Sequence, residues 1–360
     1  MLKKPHICRM NFAGRLLAWY ERYGRELPWR ETNDPYIIWL SEIILQQTRV
    51  EQGMPYFYTF VEHFPTVLDF ANADEGDILR LWQGLGYYSR ARNMHKAAKM
   101  VRDELDGIFP TAYADAIKLP GVGEYTAAAI ASFSINECKA VVDGNVYRVL
   151  SRYLGIDEPI NSTSGKKLFA QLAQEFISDQ HPGLYNQAIM DFGATVCKPK
   201  NPLCESCIFR EDCRALALDT IDQLPVKIKG KASRNRYFHY FIVERNSTIL
   251  MSQRPEGDVW ANLYEFPLIE TEHATDIQDL PLLPEFISHF GDASIEPIGH
   301  EIKHVLSHQN IYARFYRVNL VADIRQKKQF WHYILSDKMD KLAKHKLIFS
   351  FIDKFFNQTV

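Results

Sequence analysis

The sequence has no apolar run long enough to cross a membrane, no secretory leader, no internal repeat and no low-complexity tract. The first absence excludes a helical membrane protein, and the second is expected of a cytoplasmic chain in a reducing compartment. Charge of one sign is not in excess either: 42 Lys and Arg against 44 Asp and Glu leave a formal net charge of −2. Affinity for a polyanion must therefore come from local patches of cations. What remains is an ordinary globular composition, 46% hydrophobic over 360 residues, long enough for two domains with their own cores.

Cysteine is scarce, yet four of the six lie together. Cys197, Cys204, Cys207 and Cys213 are separated by six, two and five residues, and only Cys8 and Cys138 lie elsewhere. Under reducing conditions such clustered thiols point to a metal rather than to disulfides. The spacing alone leaves zinc and an iron–sulfur cluster both open. The intervening Lys198-Pro199-Lys200-Asn201-Pro202 is basic and loop-like, suited to face phosphate.

The hydrophobic pattern changes near residue 226. Before it, apolar spacing predicts helices over 35–48 (opened by Asp34-Pro35 as cap and first turn), 112–119, 125–133, 145–153 and 166–176. Beyond it, strands are predicted over 237–244, 248–253 and 310–320, with Arg245-Asn246-Ser247 as a turn, and an amphipathic helix over 341–356. Between them, Lys227, Lys229, Lys231, Arg234 and Arg236 occur without an acidic residue and read as a solvated basic linker, open to DNA or a protein partner. The expected organisation is an all-α domain over 1–225 with a metal loop at 197–213, a linker over 226–236, and an α+β domain over 237–360.

Two short motifs in the helical part suit chemistry on a phosphate polymer. Leu119-Pro120-Gly121-Val122-Gly123 lies between two predicted helices, where glycines and a helix start expose amides to a phosphate oxygen. Asp143, in Val142-Asp143-Gly144-Asn145-Val146, stands at the mouth of the next helix, where an acid also serves as an N-cap.

These motifs in this order carry a resemblance. Together with Leu27-Pro28-Trp29-Arg30, Ser41-Glu42-Ile43-Ile44-Leu45-Gln46-Gln47-Thr48, the run from Trp82 to Arg92, Tyr185-Asn186-Gln187-Ala188 and the cysteine quartet, the chain resembles the endonuclease III superfamily of DNA glycosylases. Within it, the match is to the adenine DNA glycosylase (MutY) family, over residues from about Trp19 to Cys213. The resemblance implies a helix–hairpin–helix glycosylase domain whose cysteines hold a 4Fe–4S cluster. It implies base-excision repair on double-stranded DNA carrying adenine opposite 8-oxoguanine or guanine, by a monomeric enzyme at the nucleoid.

Carried over residue by residue, the resemblance makes Glu42 the acid that protonates adenine N7 and then prepares water. Asp143 stabilises the cationic sugar, and Tyr125 and Asn145 position the two carboxylates. Glycosidic cleavage through an oxocarbenium-like state suits such a pair. Gln47, Leu85 and Tyr87 resemble the residues that fill or wedge the gap left by a flipped base. Arg30 and Gln187 resemble the adenine contacts, and Gly121 and Gly123 the phosphate contacts. Bifunctional relatives carry a lysine at the position of Tyr125; a phenol forms no Schiff base, so a monofunctional enzyme leaving an abasic site is expected.

After the linker, Trp260-Ala261-Asn262-Leu263-Tyr264-Glu265-Phe266-Pro267 resembles the strand and turn of a Nudix-like fold, without its usual Gly-Gly. Residues 268–280 hold no magnesium-binding Glu box, so this domain is expected to bind and not hydrolyse. Leu306-Ser307-His308 resembles the family's loop that reads 8-oxoguanine, with Leu306 in place of an aromatic. An endonuclease III-like lyase on oxidised pyrimidines, a non-catalytic lesion binder and a Nudix hydrolase are the competing readings.

Overall fold

The computed structural model describes residues 9–230 and 233–356. Its residues gather into two compact units, one made from the chain up to Asn72 and from Asn93–Lys229, the other from Ala73–Arg92 and the chain from Gly230 onward. Packing thus groups residues 73–92 with the second unit, whereas the sequence reading divided the chain at the linker alone.

The first unit is helical. Its elements are α1 (Arg9–Tyr23), α2 (Pro35–Ile44), α3 (Val50–His63) and α4 (Val67–Asn72), then, beyond α5 (Glu75–Leu81) of the second unit, most of α6 (Ser89–Glu104). There follow α7 (Tyr113–Ala116), α8 (Glu124–Ile135), α9 (Gly144–Leu154), α10 (Thr163–Phe176), α11 (Pro182–Thr195) and α12 (Arg214–Ala217). Phe12, Leu16, Leu150, Phe169, Ala188 and Phe192 are part of one buried cluster that packs α1, α9, α10 and α11 together. Helix α2 starts as the sequence indicates, with the Asp34 carboxylate accepting from Tyr36 N at 2.8 Å and Pro35 in the first turn. It ends at Ile44 rather than at 48, and Gln47 soon takes the left-handed φ of 56°.

The second unit is built on two sheets. In the first, β1 (Arg234–Ile242) runs antiparallel to β5 (Leu268–Thr271) and parallel to β8 (Gln309–Asn319). The far edge of β8 is shared between β6 (Ser294–Pro297) and β7 (Ile302–Val305). In the second, β3 (Thr248–Gln253) pairs with β2 (Glu244–Arg245), β4 (Tyr264–Glu265) and β9 (Trp331–Leu335). Phe241, Tyr316 and Trp331 pack with Phe286 and Phe290 of α13 (Pro284–Phe290). The observed elements are those of a helical domain followed by a sheet-containing one, as expected.

Two local readings are corrected. The closing helix α14 (Lys346–Phe355) begins five residues later than expected, because Lys344 pairs with Tyr264 as a parallel bridge and His345 is extended. The basic stretch is no uniform linker: Arg236 lies buried in β1, ion-paired to Glu270 at 2.6 Å and Asp258 at 2.7 Å. Ile228 is tied to the first unit by reciprocal bonds with the Asn161 amide, both 2.8 Å. Lys227, Lys229 and Arg234 are exposed, while Lys231, like Cys8, lies outside the described residues.

Candidate active site

Glu42 sits on α2, whose sequence is apolar on nearly every face, and is 8% exposed. Tyr125, in the first turn of α8, donates its hydroxyl to Glu42 Oε2 at 2.7 Å, with Met190 Sδ beside it at 3.2 Å. Burial is the main reason the Glu42 pKa rises from 4.5 to about 7; the Tyr125 bond and Arg30 oppose the rise and Asp143 adds to it. Burial and the adjoining carboxylates hold Tyr125 well above the usual phenol range, so it stays a donor.

Asp143 is the N-cap of α9. Its Oδ1 accepts from Asn145 N at 2.9 Å and Val146 N at 2.8 Å, and its Oδ2 from Asn145 Nδ2 at 2.7 Å. Burial raises its pKa, while these three N–H groups and the positive end of the helix work the other way. Asn145 is held in turn: Arg148 Nη2 donates to Asn145 Oδ1 at 2.7 Å and to Gly193 O at 2.7 Å. A Cβ at Gly193 would stand 2.6 Å from that of Asn145, so α11 can approach α9 here only through a glycine.

Arg30 is not free to neutralise Glu42. It forms a fork on Asp191, Nη1 to Oδ2 and Nη2 to Oδ1, both 2.8 Å, and Asp191 is fully buried and also bound by Arg25. Burial opposes charge on both groups; the pairing prevails, raising Arg30 and lowering Asp191. Tyr20 donates to Gln187 Oε1 at 2.9 Å and accepts from Arg30, which fixes the carbonyl end of the Gln187 amide. Trp29, Arg30, Ile38, Ser41, Glu42, Phe133, Gln187 and Met190 enclose about 20 Å³, room for about one water and not for a purine. Asp191, Tyr20, Arg25 and Arg148 were missed in the sequence reading, and no local signal marks them. Tyr20, Arg25 and Asp191 act through partners distant in sequence, and Arg148 through Asn145 and the main chain of Gly193.

The hairpin between α7 and α8 exposes Gly121 and Gly123. Gly121 needs its residue type, with φ of 78° and the Asn93 side chain 2.7 Å from where a Cβ would be. Gly123 does not: its backbone is extended and the space beside it open.

Cys197, Cys204, Cys207 and Cys213 line one pocket with Val196, Pro202, Leu203, Leu216 and Ile221. Arg152 on α9 anchors the loop, donating to Lys198 O at 2.7 Å and toward Cys197 Sγ at 3.6 Å, while Phe209 N reaches Cys207 Sγ at 3.4 Å. Arg148 Nε holds Cys197 O at 2.6 Å, so a single helix contacts both Asp143 and the cysteine loop. Burial pushes the Cys207 thiol up to about 11 and raises Cys204 and Cys213. Among the described residues no three His, Cys, Asp or Glu side chains are grouped to hold a metal ion. The four thiols, their apolar surroundings and the N–H donors to sulfur nevertheless suit a polynuclear thiolate-held group, which spreads its ligands more widely than one ion.

Comparison with known proteins identifies the family. Residues 40–176 match the model of the HhH-GPD superfamily of base excision DNA repair proteins, and residues 239–354 that of the NUDIX domain. An adenine DNA glycosylase of Buchnera aphidicola is 35% identical over 313 residues, covering 84% of each chain. The chain belongs to the adenine DNA glycosylase family. The family's member in Rattus norvegicus is 35% identical over 364 residues, 86% of this chain and 70% of that one. Among solved structures, a thermostable thymine-DNA glycosylase aligns with a TM-score of 0.55 at 28% identity, covering 58% of this chain and 97% of its own.

The remaining residues singled out by the family resemblance lie as follows. Gln47 is exposed and left-handed. Leu85 is 7% exposed and turned inward, whereas Tyr87 is 47% exposed with a left-handed φ of 48°. Ser307 and His308 are exposed in the turn between β7 and β8, closed by Leu306 N to Gln309 O at 2.8 Å. Tyr87 Oη lies 2.8 Å from Ser307 Oγ, within the second unit.

Proposed function

We propose that this adenine DNA glycosylase of base-excision repair acts on duplex DNA with adenine opposite 8-oxoguanine or guanine and leaves an abasic site. The observation that carries the chemistry is the burial of Glu42, which keeps a carboxylic acid protonated near neutral pH, while Tyr125 fixes its position. Glu42 gives its proton to adenine N7 as the N9–C1′ bond breaks. The sugar is left as an oxocarbenium ion, stabilised by ionised Asp143 held by Asn145 and Val146. Water then adds to C1′ and returns its proton to Glu42. Gln187 and Arg30 present polar atoms at the base pocket, which must open to admit a purine. With Tyr125 where a lyase needs an amine, the strand stays intact.

Cys197, Cys204, Cys207 and Cys213 would hold a 4Fe–4S cluster, which when bound supplies a cross-link that shapes the basic loop. Gly121, Gly123 and the start of α8 bind phosphate, Gln47 and Tyr87 enter the stack, and Ser307 and His308 read the opposite base. The enzyme acts as a monomer; among the described residues no helix is long and apolar enough to cross a membrane. A single-turnover assay on duplexes carrying A opposite 8-oxoguanine, A opposite G and thymine glycol tests this reading. Adenine release without strand cleavage or borohydride trapping is expected from the first two. Cleavage at thymine glycol would instead identify an endonuclease III-like lyase.

A further inference from the structure

Residues 73–92 are joined at both ends to the first unit but pack with the second. Ile78, Leu79, Trp82, Leu85 and Tyr88 of this segment are buried. Specific polar contacts fix its register: Tyr88 donates its hydroxyl to Lys344 O at 3.0 Å, Lys344 N donates to Gln83 Oε1 at 3.1 Å, and Arg92 Nη1 donates to Ala261 O at 2.8 Å. Asn262 Nδ2 adds a bond to Glu75 Oε1 at 2.8 Å. At the tip, Gly84, Gly86 and Tyr87 are all left-handed, an arrangement costly for a tyrosine and found where surroundings enforce it. The Arg90 guanidinium lies 5.0 Å from the Trp82 ring and 5.7 Å from the Tyr87 ring, stiffening the turn from both sides. Tyr87 is thereby delivered to Ser307.

We propose that Tyr88, Arg92 and the Glu75–Asn262 pair are positioning residues that make wedge and reader one body. Insertion of Tyr87 beside the orphaned base and reading of that base by Ser307 are then a single event. None of the four touches the reacting atoms. The inference rests on the proposed reading of the second unit as the reader of 8-oxoguanine.

Asn262→Asp, in the full-length protein, tests it with little change of shape. The substituted side chain keeps the left-handed φ of 65° found at Asn262, which Asn and Asp both tolerate, and sets a carboxylate against Glu75. Two readouts are taken: the ratio of single-turnover rates on A opposite 8-oxoguanine and A opposite G, and the fluorescence of 2-aminopurine placed beside 8-oxoguanine. Asn262→Asp should lower the ratio about five- to tenfold, the size of one coupled contact, and blunt the rise in fluorescence on binding. Glu75→Gln added to Asn262→Asp should restore both, because an amide and a carboxylate again face each other with their ends exchanged. Unchanged readouts in Asn262→Asp, or failure of the double variant to restore them, overturn the inference. Ser307→Ala is measured in parallel. If it leaves the ratio intact, the reader assignment itself falls; if it lowers the ratio while Asn262→Asp does not, only the positioning role falls.

Discussion

Each unit buries one glutamate against a tyrosine hydroxyl, and the two pairs have opposite characters. Glu265, 3% exposed, accepts from Tyr240 at 2.9 Å, but also from Arg254 at 2.7 Å and His345 at 3.3 Å. Glu42, 8% exposed, accepts from Tyr125 at 2.7 Å, while the nearby Arg30 is spent on Asp191. One carboxylate is saturated and held as part of a scaffold. The other is left short of an ion partner, so burial dominates and its proton is retained to about pH 7. The difference in proton affinity is a matter of which arginine is already taken.

The largest effect should come from the two carboxylates proposed to react. Glu42→Gln and Asp143→Asn should each lower single-turnover adenine release by roughly 10²–10⁴-fold with duplex affinity nearly unchanged. Parallel loss of binding would move these residues from chemistry to contact.

The comparison breaks if Glu265→Gln is harmless. Replacing the carboxylate of the Glu265–Arg254 pair by an amide should destabilise the second unit by about 1–3 kcal/mol in urea unfolding, because Arg254 keeps Asp258 at 2.6 Å but loses its buried ion partner. Glu42→Gln should do the reverse at alkaline pH. The folded-state pKa of Glu42 is raised, so its contribution to stability is fully present below pH 4.5 and is lost as pH rises toward about 7. Relative to wild type, Glu42→Gln should gain up to about 3 kcal/mol between pH 4.5 and pH 8, read from paired unfolding curves at the two pH values.

The same ionisation shapes the rate. Adenine release should fall tenfold per pH unit above about pH 7 as Glu42 loses its proton. Asp191→Asn sharpens the comparison further, since it frees Arg30 to pair with Glu42 and should move that alkaline limb down by about one unit. A limb that stays in place would mean that Arg30 does not govern Glu42. A smaller loss, about tenfold in rate, is expected of Arg148→Ala, through Asn145 and Asp143. Normal release with a disturbed Cys197 loop would confine Arg148 to structure.

Much of this was readable from local pattern. The helices over 125–133, 145–153 and 166–176 lie within the observed α8, α9 and α10, because cap residues and apolar spacing act over a few positions. The strand over 248–253 and the left-handed turn at Asn246 and Ser247 follow for the same reason. The chain's family and its two-part organisation were likewise legible, since short motifs in fixed order survive without reference to packing. Burial of Arg236 was not, because a basic run reads as solvated until Asp258 and Glu270 are brought to it by the sheet.

From the sequence alone came the candidates for acid and anion, the phenol in place of an amine, and the four thiols, because chemistry depends on which groups are present. Only tertiary structure decided how those groups are set. Arg30 meets Asp191 across 161 residues, which leaves Glu42 protonated, and residues 73–92 leave the helical unit to carry Tyr87 to Ser307. Proton affinity and the posture of an exposed tyrosine depend on distance and burial, and those arise only when segments remote in the chain are folded against one another.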